Sequence, residues 1–149
     1  MSASPPAATH RDGRRHLVLV GTGRSHQHLL ERLVRQPVAD LRTTLLHPSA
    51  AVFADAGLVA LIAGRRTAAD CSTALGPLLQ RAGVSHLARR VLALDTASRT
   101  LALDDGQPLV YDLLSVDGSP VQDRAAAERA LPGAREHGLF LLPAERFAM

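Results

Sequence analysis

Lysine and tryptophan are absent from the 149 residues, cysteine occurs once, and aromatic residues make up only 3%. With no lysine, all 17 basic side chains are arginines, which stay charged at every accessible pH. A formal charge of only +3 therefore accompanies a pI near 10.3. The arginines are scattered from Arg11 to Arg146, densest at Arg11/Arg14/Arg15, Arg65/Arg66 and Arg89/Arg90. That is the pattern of a solvated surface, not the single basic face of a nucleic-acid binder. One of these pairs assisting a phosphate is the alternative reading. A lone Cys71 excludes an intramolecular disulfide and any CxxC redox pair, and it points to a reducing, cytoplasmic setting. Long apolar runs are also missing. The longest, residues 50–63, contains Asp55 and is too short to span a bilayer, so no transmembrane segment is expected. Residues 1–15 have two prolines and a charge run but no apolar core of a signal peptide, and they read as a disordered leader.

What is present is globular. Hydrophobic residues account for 46% and charged residues for 21%, enough for one domain with a real core. Without aromatic bulk, alanine, leucine and valine must fill it, so stability is expected to be modest. Residues 16–20 (HLVLV) form a continuous apolar run ending at Gly21, the signature of a strand buried on both faces of a parallel sheet. After Gly21-Thr22-Gly23, Leu29, Leu30, Leu33 and Val34 recur at helical spacing until Pro37 stops the helix. Residues 41–46 (LRTTLL) are a second strand, which completes one right-handed βαβ unit. Residues 48–64 read as a loop and a short helix closed by Gly64. Residues 70–81 read as a helix with Thr67 as its N-cap, Gly83 at its end, and a stripe of Cys71, Leu75, Leu78 and Leu79. On that stripe Cys71 is an ordinary buried small residue. The periodicity then becomes that of strands: 90–94, 100–103 after a Thr96–Ser98 turn, and 109–116 after the Asp104-Asp105-Gly106 hairpin signal. Residues 121–130 predict a helix broken at Pro132-Gly133, and 138–142 a short strand.

The glycine turn carries the chemistry. A dinucleotide needs its pyrophosphate held against backbone at a helix N-terminus. The first glycine (Gly21) permits the tight turn, and the second (Gly23) removes a Cβ that would collide with phosphate. The alternative is a purely structural turn that needs small residues. Two positions depart from the usual fingerprint. His26 stands at the third glycine, and His47 stands at the end of the second strand, where an acid commonly binds the ribose hydroxyls. The loss of that acid favours FAD over NAD(P).

The segment HLVLVGTGRSHQHLL resembles the opening of the pyridine nucleotide-disulfide oxidoreductase superfamily, and most of all its type II NADH dehydrogenase-like branch, some of whose members are fused to selenide-water dikinase. In that branch the turn reads glycine-x-glycine-histidine-alanine-histidine, so His26 matches a motif histidine. Leu45-Leu46-His47-Pro48-Ser49, Leu61-Ile62-Ala63-Gly64, Gln80-Arg81-Ala82-Gly83, the stretch 90–106, Tyr111-Asp112-Leu113-Leu114-Ser115, Pro132-Gly133-Ala134-Arg135-Glu136-His137 and Glu145-Arg146-Phe147 follow in the same order. The resemblance implies an α/β, Rossmann-like FAD/NAD(P)-binding domain with a mainly parallel sheet and a β-meander insertion. It implies extended FAD with Gly21 and Gly23 at the pyrophosphate, Arg24 and His26 among the cofactor contacts, His47 near the adenosine ribose, Val91 near the adenine, and Asp117 and Gly118 beside the nucleotide. The expected organisation is a leader at 1–15, the dinucleotide-binding domain at 16–120 and a linker-like tail at 121–149. The NAD(P)H domain and the returning FAD segment of the family are not matched. The turn that approaches the flavin is altered, reading Asp55-Ala56-Gly57-Leu58-Val59-Ala60.

Competing chemistries find little support. His26-Gln27-His28 is an HxH pair, but residues two apart on a helix face differently and no acidic or cysteine cluster completes a metal site, so no metal is expected. Ser25 beside His26 lacks the G-x-S-x-G nucleophile elbow of a hydrolase. Two readings stand. One is the N-terminal dinucleotide-binding portion of an FAD-dependent, NAD(P)H dehydrogenase-like oxidoreductase. Its partners would be the dinucleotide and either a second chain supplying the missing domain or a further copy of itself; NAD(P)H would serve as reductant only through that domain. The other is a non-catalytic Rossmann-like remnant or interaction module without cofactor. No catalytic acid or base can be named from the sequence, because in such chemistry the flavin reacts and the protein positions it.

Overall fold

The computed structural model describes residues 13–53, 55–118, 122–138 and 140. In chain order these form β1 (Arg15–Val20), α1 (Arg24–Arg35), β2 (Leu41–Leu46), β3 (Ala51–Phe53), α2 (Asp55–Ile62), a 3-10 turn (Ala69–Cys71), β4 (Ser72–Ala74), α3 (Gly76–Ala82), β5 (Ser85–Leu87), β6 (Val91–Asp95), β7 (Thr100–Leu103), β8 (Pro108–Val110), β9 (Leu113–Val116), α4 (Arg124–Ala130) and α5 (Ala134–His137). The described residues pack as two units: those within 1–50 and 74–118, and those within 51–73 and 119–149.

The first unit is built on a parallel sheet of order β5-β2-β1-β9. Val18 and Leu19 are both at 0% exposure, and consecutive strand residues point to opposite faces, so both faces of β1 are covered. That is why residues 16–20 read as an unbroken apolar run. On α1, His26, Leu30 and Leu33 are buried at helical spacing, while the charged residues face outward. The meander β6-β7-β8 is antiparallel. Its Leu101 and Leu103, with the following Tyr111, join Val18 and Leu46 in one core cluster.

Residues 109–116, which the alternation predicts as one strand, divide into β8 and β9 in two different sheets. The break is at Tyr111-Asp112, and its cause is local. The Asp112 N–H donates to the His16 carbonyl at 2.9 Å, and its carboxylate accepts from the His16 N–H at 2.6 Å. The chain thereby leaves β7 and joins β1. The His16 ring, 1% exposed, lies within 2.8 Å of the Thr44 hydroxyl and 3.0 Å of the Val110 carbonyl. Asp112→Ala strands the His16 N–H inside the protein. It is expected to cost about 1–3 kcal/mol in urea unfolding, and a variant as stable as the wild type would show that the split does not rest on this pair.

The expected helix over 70–81 is shorter. Pro77 lacks an N–H and sits at the helix N-terminus, so α3 starts at Gly76. The residues before it form the 3-10 turn and β4, which pairs with β3. The N-cap of α3 is Leu75 and that of the 3-10 turn is Ala68, so Thr67 caps neither and instead braces the turn. Its N–H and hydroxyl donate to the Asp70 carboxylate at 2.9 and 2.7 Å, and the Asp70 N–H returns to the hydroxyl at 3.3 Å. The short strands β3 and β5 were not anticipated, because three residues carry too little pattern.

In the second unit Cys71 is buried with Phe53, backed by Leu58 and Leu61. A Cβ on Gly57 would lie 2.7 Å from the Cys71 sulfur and 2.9 Å from its Cβ. Gly57→Ala is therefore expected to destabilise this unit by about 1–3 kcal/mol. Gly57→Ala combined with Cys71→Ala should recover part of that loss in thermal unfolding, and no recovery would place the strain elsewhere. Asp123 caps α4 by accepting from the Ala125 and Ala126 N–H groups at 2.8 and 3.0 Å. The expected strand at 138–142 lies largely outside the described residues. Among the described residues no helix is long and apolar enough to cross a membrane.

Four carboxylates, Glu128 half-buried and the other three exposed, are held below their usual range by the turns and the ion pair they form. Asp70 is lowered by the Thr67 hydroxyl, Asp95 by Ser98, Asp105 by the Arg89 guanidinium at 2.6 Å, and Glu128 by the Gly133 N–H. A carboxylate with a depressed folded pKa contributes stability that is present above its unfolded value near 4 and is lost as pH falls through the folded value. The melting temperature should therefore lose these contributions only as pH drops below about 4. The quadruple Asn/Gln variant should show a weaker decline over that interval; an unchanged acid limb would remove the turns from the cause.

Candidate functional site

The strand order reverses at β1. The chain runs β1, β2, β5 to one side and returns with β9 on the other. In open parallel sheets the crevice for a ligand lies at the carboxyl ends of the strands at such a switch. Here that place is formed by residues 20–26 and 115–118.

Sequence builds this corner in three steps. β1 delivers Gly21 at φ 99°, in the left-handed region, with its N–H bonded to the Leu46 carbonyl at 3.1 Å. A Cβ there would run into the backbone carbonyl of Asp117. Gly21 is thus required by the return of β9 as well as by the turn. Gly23 is then the N-cap of the 12-residue α1, without a side chain to bond the first-turn amides and with no acidic residue in that turn. Arg32 and Arg35 lie in the last turn, so α1's own residues complement the helix dipole at its far end and none of them does so at the near one. Finally the Asp117 N–H donates to the Val20 carbonyl at 2.9 Å, which brings the end of β9 against the turn.

Among the residues expected to contact the nucleotide, the structure brings Gly21, Gly23, His26 and Asp117 together. His26 is 2% exposed and its ring is clamped. Nδ1 lies 2.8 Å from the Gly21 carbonyl and Nε2 lies 2.9 Å from the Ser115 hydroxyl. A carbonyl only accepts, so Nδ1 carries the proton and, in the neutral ring, Nε2 accepts from Ser115. A third glycine would allow close helix–strand contact. Here a buried imidazole fills that space and staples the turn to β9, and what it offers outward is its backbone N–H. Sequence reasoning does not single out Ser115, for which the available signal is a hydroxyl within the apolar run LLSV. The Gln27 side chain also donates to the Thr22 carbonyl at 3.1 Å, which closes the turn from the other side.

The remaining positions are placed as follows. Arg24 is exposed at the first residue of α1, and Gly118 is exposed beyond β9. His47 continues β2 at its carboxyl end, with Nδ1 2.8 Å from the Ser49 carbonyl, and its own carbonyl lies 2.9 Å from Nε2 of His86. Val91 lies in β6, paired with Leu103 and packed half-buried on the core. Among the described residues no three His, Cys, Asp or Glu side chains gather as metal ligands.

The corner tests the pyrophosphate directly. At Gly23 a Cβ would meet the carboxyl carbon and both carboxylate oxygens of Asp117. The space the missing Cβ leaves is already taken, and the His26 N–H donates to Asp117 Oδ2 at 3.2 Å. The backbone suits a phosphate, but with Asp117 as it stands the side chains do not.

No protein-family model matches the chain, and no curated protein matches it. Solved structures do. The sulfide:quinone oxidoreductase of Aquifex aeolicus superposes with a TM-score of 0.61 at 23% identity, over 72% of this chain and 25% of that one. NDH2 of Plasmodium falciparum, solved in complex with NADH, superposes with a TM-score of 0.67 at 13% identity, over 91% and 28%. The water-forming NADH oxidase of Lactobacillus brevis, also bound to NADH, gives 0.58 at 17%, over 73% and 26%. The fold is therefore α/β and Rossmann-like, of the FAD/NAD(P)-binding kind found in these oxidoreductases. The chain spans about a quarter of the length of each of these three.

Proposed function

We propose that this chain is the N-terminal, dinucleotide-binding portion of an FAD-dependent oxidoreductase of the NAD(P)H dehydrogenase-like kind, in the type II NADH dehydrogenase-like branch of its superfamily. The observation that carries this reading is the Gly21-Thr22-Gly23 turn at the switch point, opening onto α1, whose N-cap residue has no side chain of its own. Bound flavin would supply the electron chemistry. Gly21, Gly23, Arg24 and the His26 N–H would face the pyrophosphate, His47 the adenosine ribose and Val91 the adenine, with Asp117 and Gly118 beside the nucleotide. With its present rotamer Asp117 fills the space beside Gly23 that the pyrophosphate would need. The nicotinamide and acceptor sites would come from further polypeptide, such as a partner chain; association with a second copy is the other assembly proposed. The single buried Cys71 supports a reducing, cytoplasmic location.

The same Asp117 contact favours a second reading, a Rossmann-like module without cofactor that serves in protein interaction. A visible spectrum of the purified chain before and after addition of excess FAD separates the two. Retained flavin bands support the oxidoreductase reading, and a colourless chain that takes up no FAD overturns it for this polypeptide.

A further inference from the structure

The anion position at the start of α1 is filled by the chain's own carboxylate. Asp117 does for α1 what the side chain of Gly23 cannot do: it accepts a hydrogen bond from a first-turn N–H, that of His26, at 3.2 Å. Its carboxylate lies in the space left by the absent Cβ of Gly23. Those first-turn amides and that space are what a pyrophosphate needs. Two anions cannot share them, because like charges a few ångströms apart repel strongly in a partly desolvated corner. The Asp117 backbone is tied to Val20 at 2.9 Å, but its side chain is only half-buried and Gly118 beside it is exposed. Side-chain rotation can therefore vacate the position while β9 stays in place.

We propose that Asp117 is a resident anion that competes with the pyrophosphate for the N-terminus of α1 and so sets how tightly this chain holds a dinucleotide. The inference rests on the dinucleotide-binding reading above. It makes Asp117 a determinant of affinity and not a ligand of the nucleotide. A dinucleotide binds by displacing the carboxylate, and the unliganded turn is held closed by it.

The test is calorimetric titration of the full chain and its Asp117→Asn and Asp117→Ala variants with ADP, FAD and adenosine at one ionic strength. Asp117→Asn keeps the shape and an acceptor for the His26 N–H but removes the charge, so it decides the matter if Asp117→Ala loosens the helix start. Thermal unfolding checks that both variants are folded. ADP and FAD should bind Asp117→Asn about tenfold or more tightly than the wild type, a difference of about 1.4 kcal/mol or more. Adenosine has no phosphate and should bind all three forms alike. Equal or weaker ADP and FAD binding by Asp117→Asn, with measurable binding to the wild type, overturns this proposal and leaves the dinucleotide reading standing. So does a parallel gain for adenosine. If no form binds ADP or FAD, the dinucleotide reading itself fails, and this inference fails with it.

Discussion

Replacing Gly21 by alanine is expected to lower stability by about 2–5 kcal/mol, a large share of what a domain of this size possesses. Two costs combine. Gly21 has φ 99°, where an L-residue pays about 1–2 kcal/mol. The new Cβ would also overlap the Asp117 carbonyl oxygen, an overpacking that typically costs about 1–3 kcal/mol. The backbone has little freedom to yield. Gly21 is tied to Leu46 at 3.1 Å, and Asp117 to Val20 at 2.9 Å. Gly23→Ala is the informative contrast. Gly23 has an ordinary φ of −63°, and its Cβ would meet only the Asp117 side chain, which can rotate. It should cost about 1 kcal/mol or less. Urea titrations with unchanged m-values would report both differences. Equal losses for the two substitutions would mean that the closeness of β9 to the turn is not what demands the first glycine.

The second large effect is expected at His26. Its ring is 2% exposed and bridges the Gly21 carbonyl and the Ser115 hydroxyl. His26→Ala removes a buried ring and strands two polar groups. Loss of packing and loss of partners together should reach about 3–4 kcal/mol. For a chain of this length that corresponds to a fall of roughly 10 °C in melting temperature. His26→Phe refills the volume without serving the polar groups and should recover only part of the loss. If His26→Phe melts with the wild type, the hydrogen bonds contribute nothing and the position is one of volume alone. Ser115→Ala removes one of the two bonds and should cost about 1 kcal/mol. Combined with His26→Phe it should be less than additive, because the two residues share one interaction.

Much of this protein was legible before any coordinates. The buried strand at 16–20, the α1 stripe, β2 at 41–46 and the β7 hairpin rest on local periodicity and on glycine and proline chemistry, which need no tertiary context. The same is true of the glycine turn, whose two small residues mark a close approach whatever it is that approaches. Tertiary structure decided the rest. Residues 109–116 alternate as one strand; only the reciprocal bonds between Asp112 and His16, 96 positions apart in the chain, divide them between two sheets. His26 matched a motif position in the sequence. Its burial against Ser115, 89 positions away, makes its ring a staple and leaves its N–H to the turn. Asp117 was expected beside the nucleotide, but its place at Gly23 depends on β9 lying parallel to β1, a long-range pairing that local pattern does not encode. The residue pattern therefore determined that a glycine turn opens α1. Which atoms fill it depends on how distant strands pair, and only the folded chain decided that.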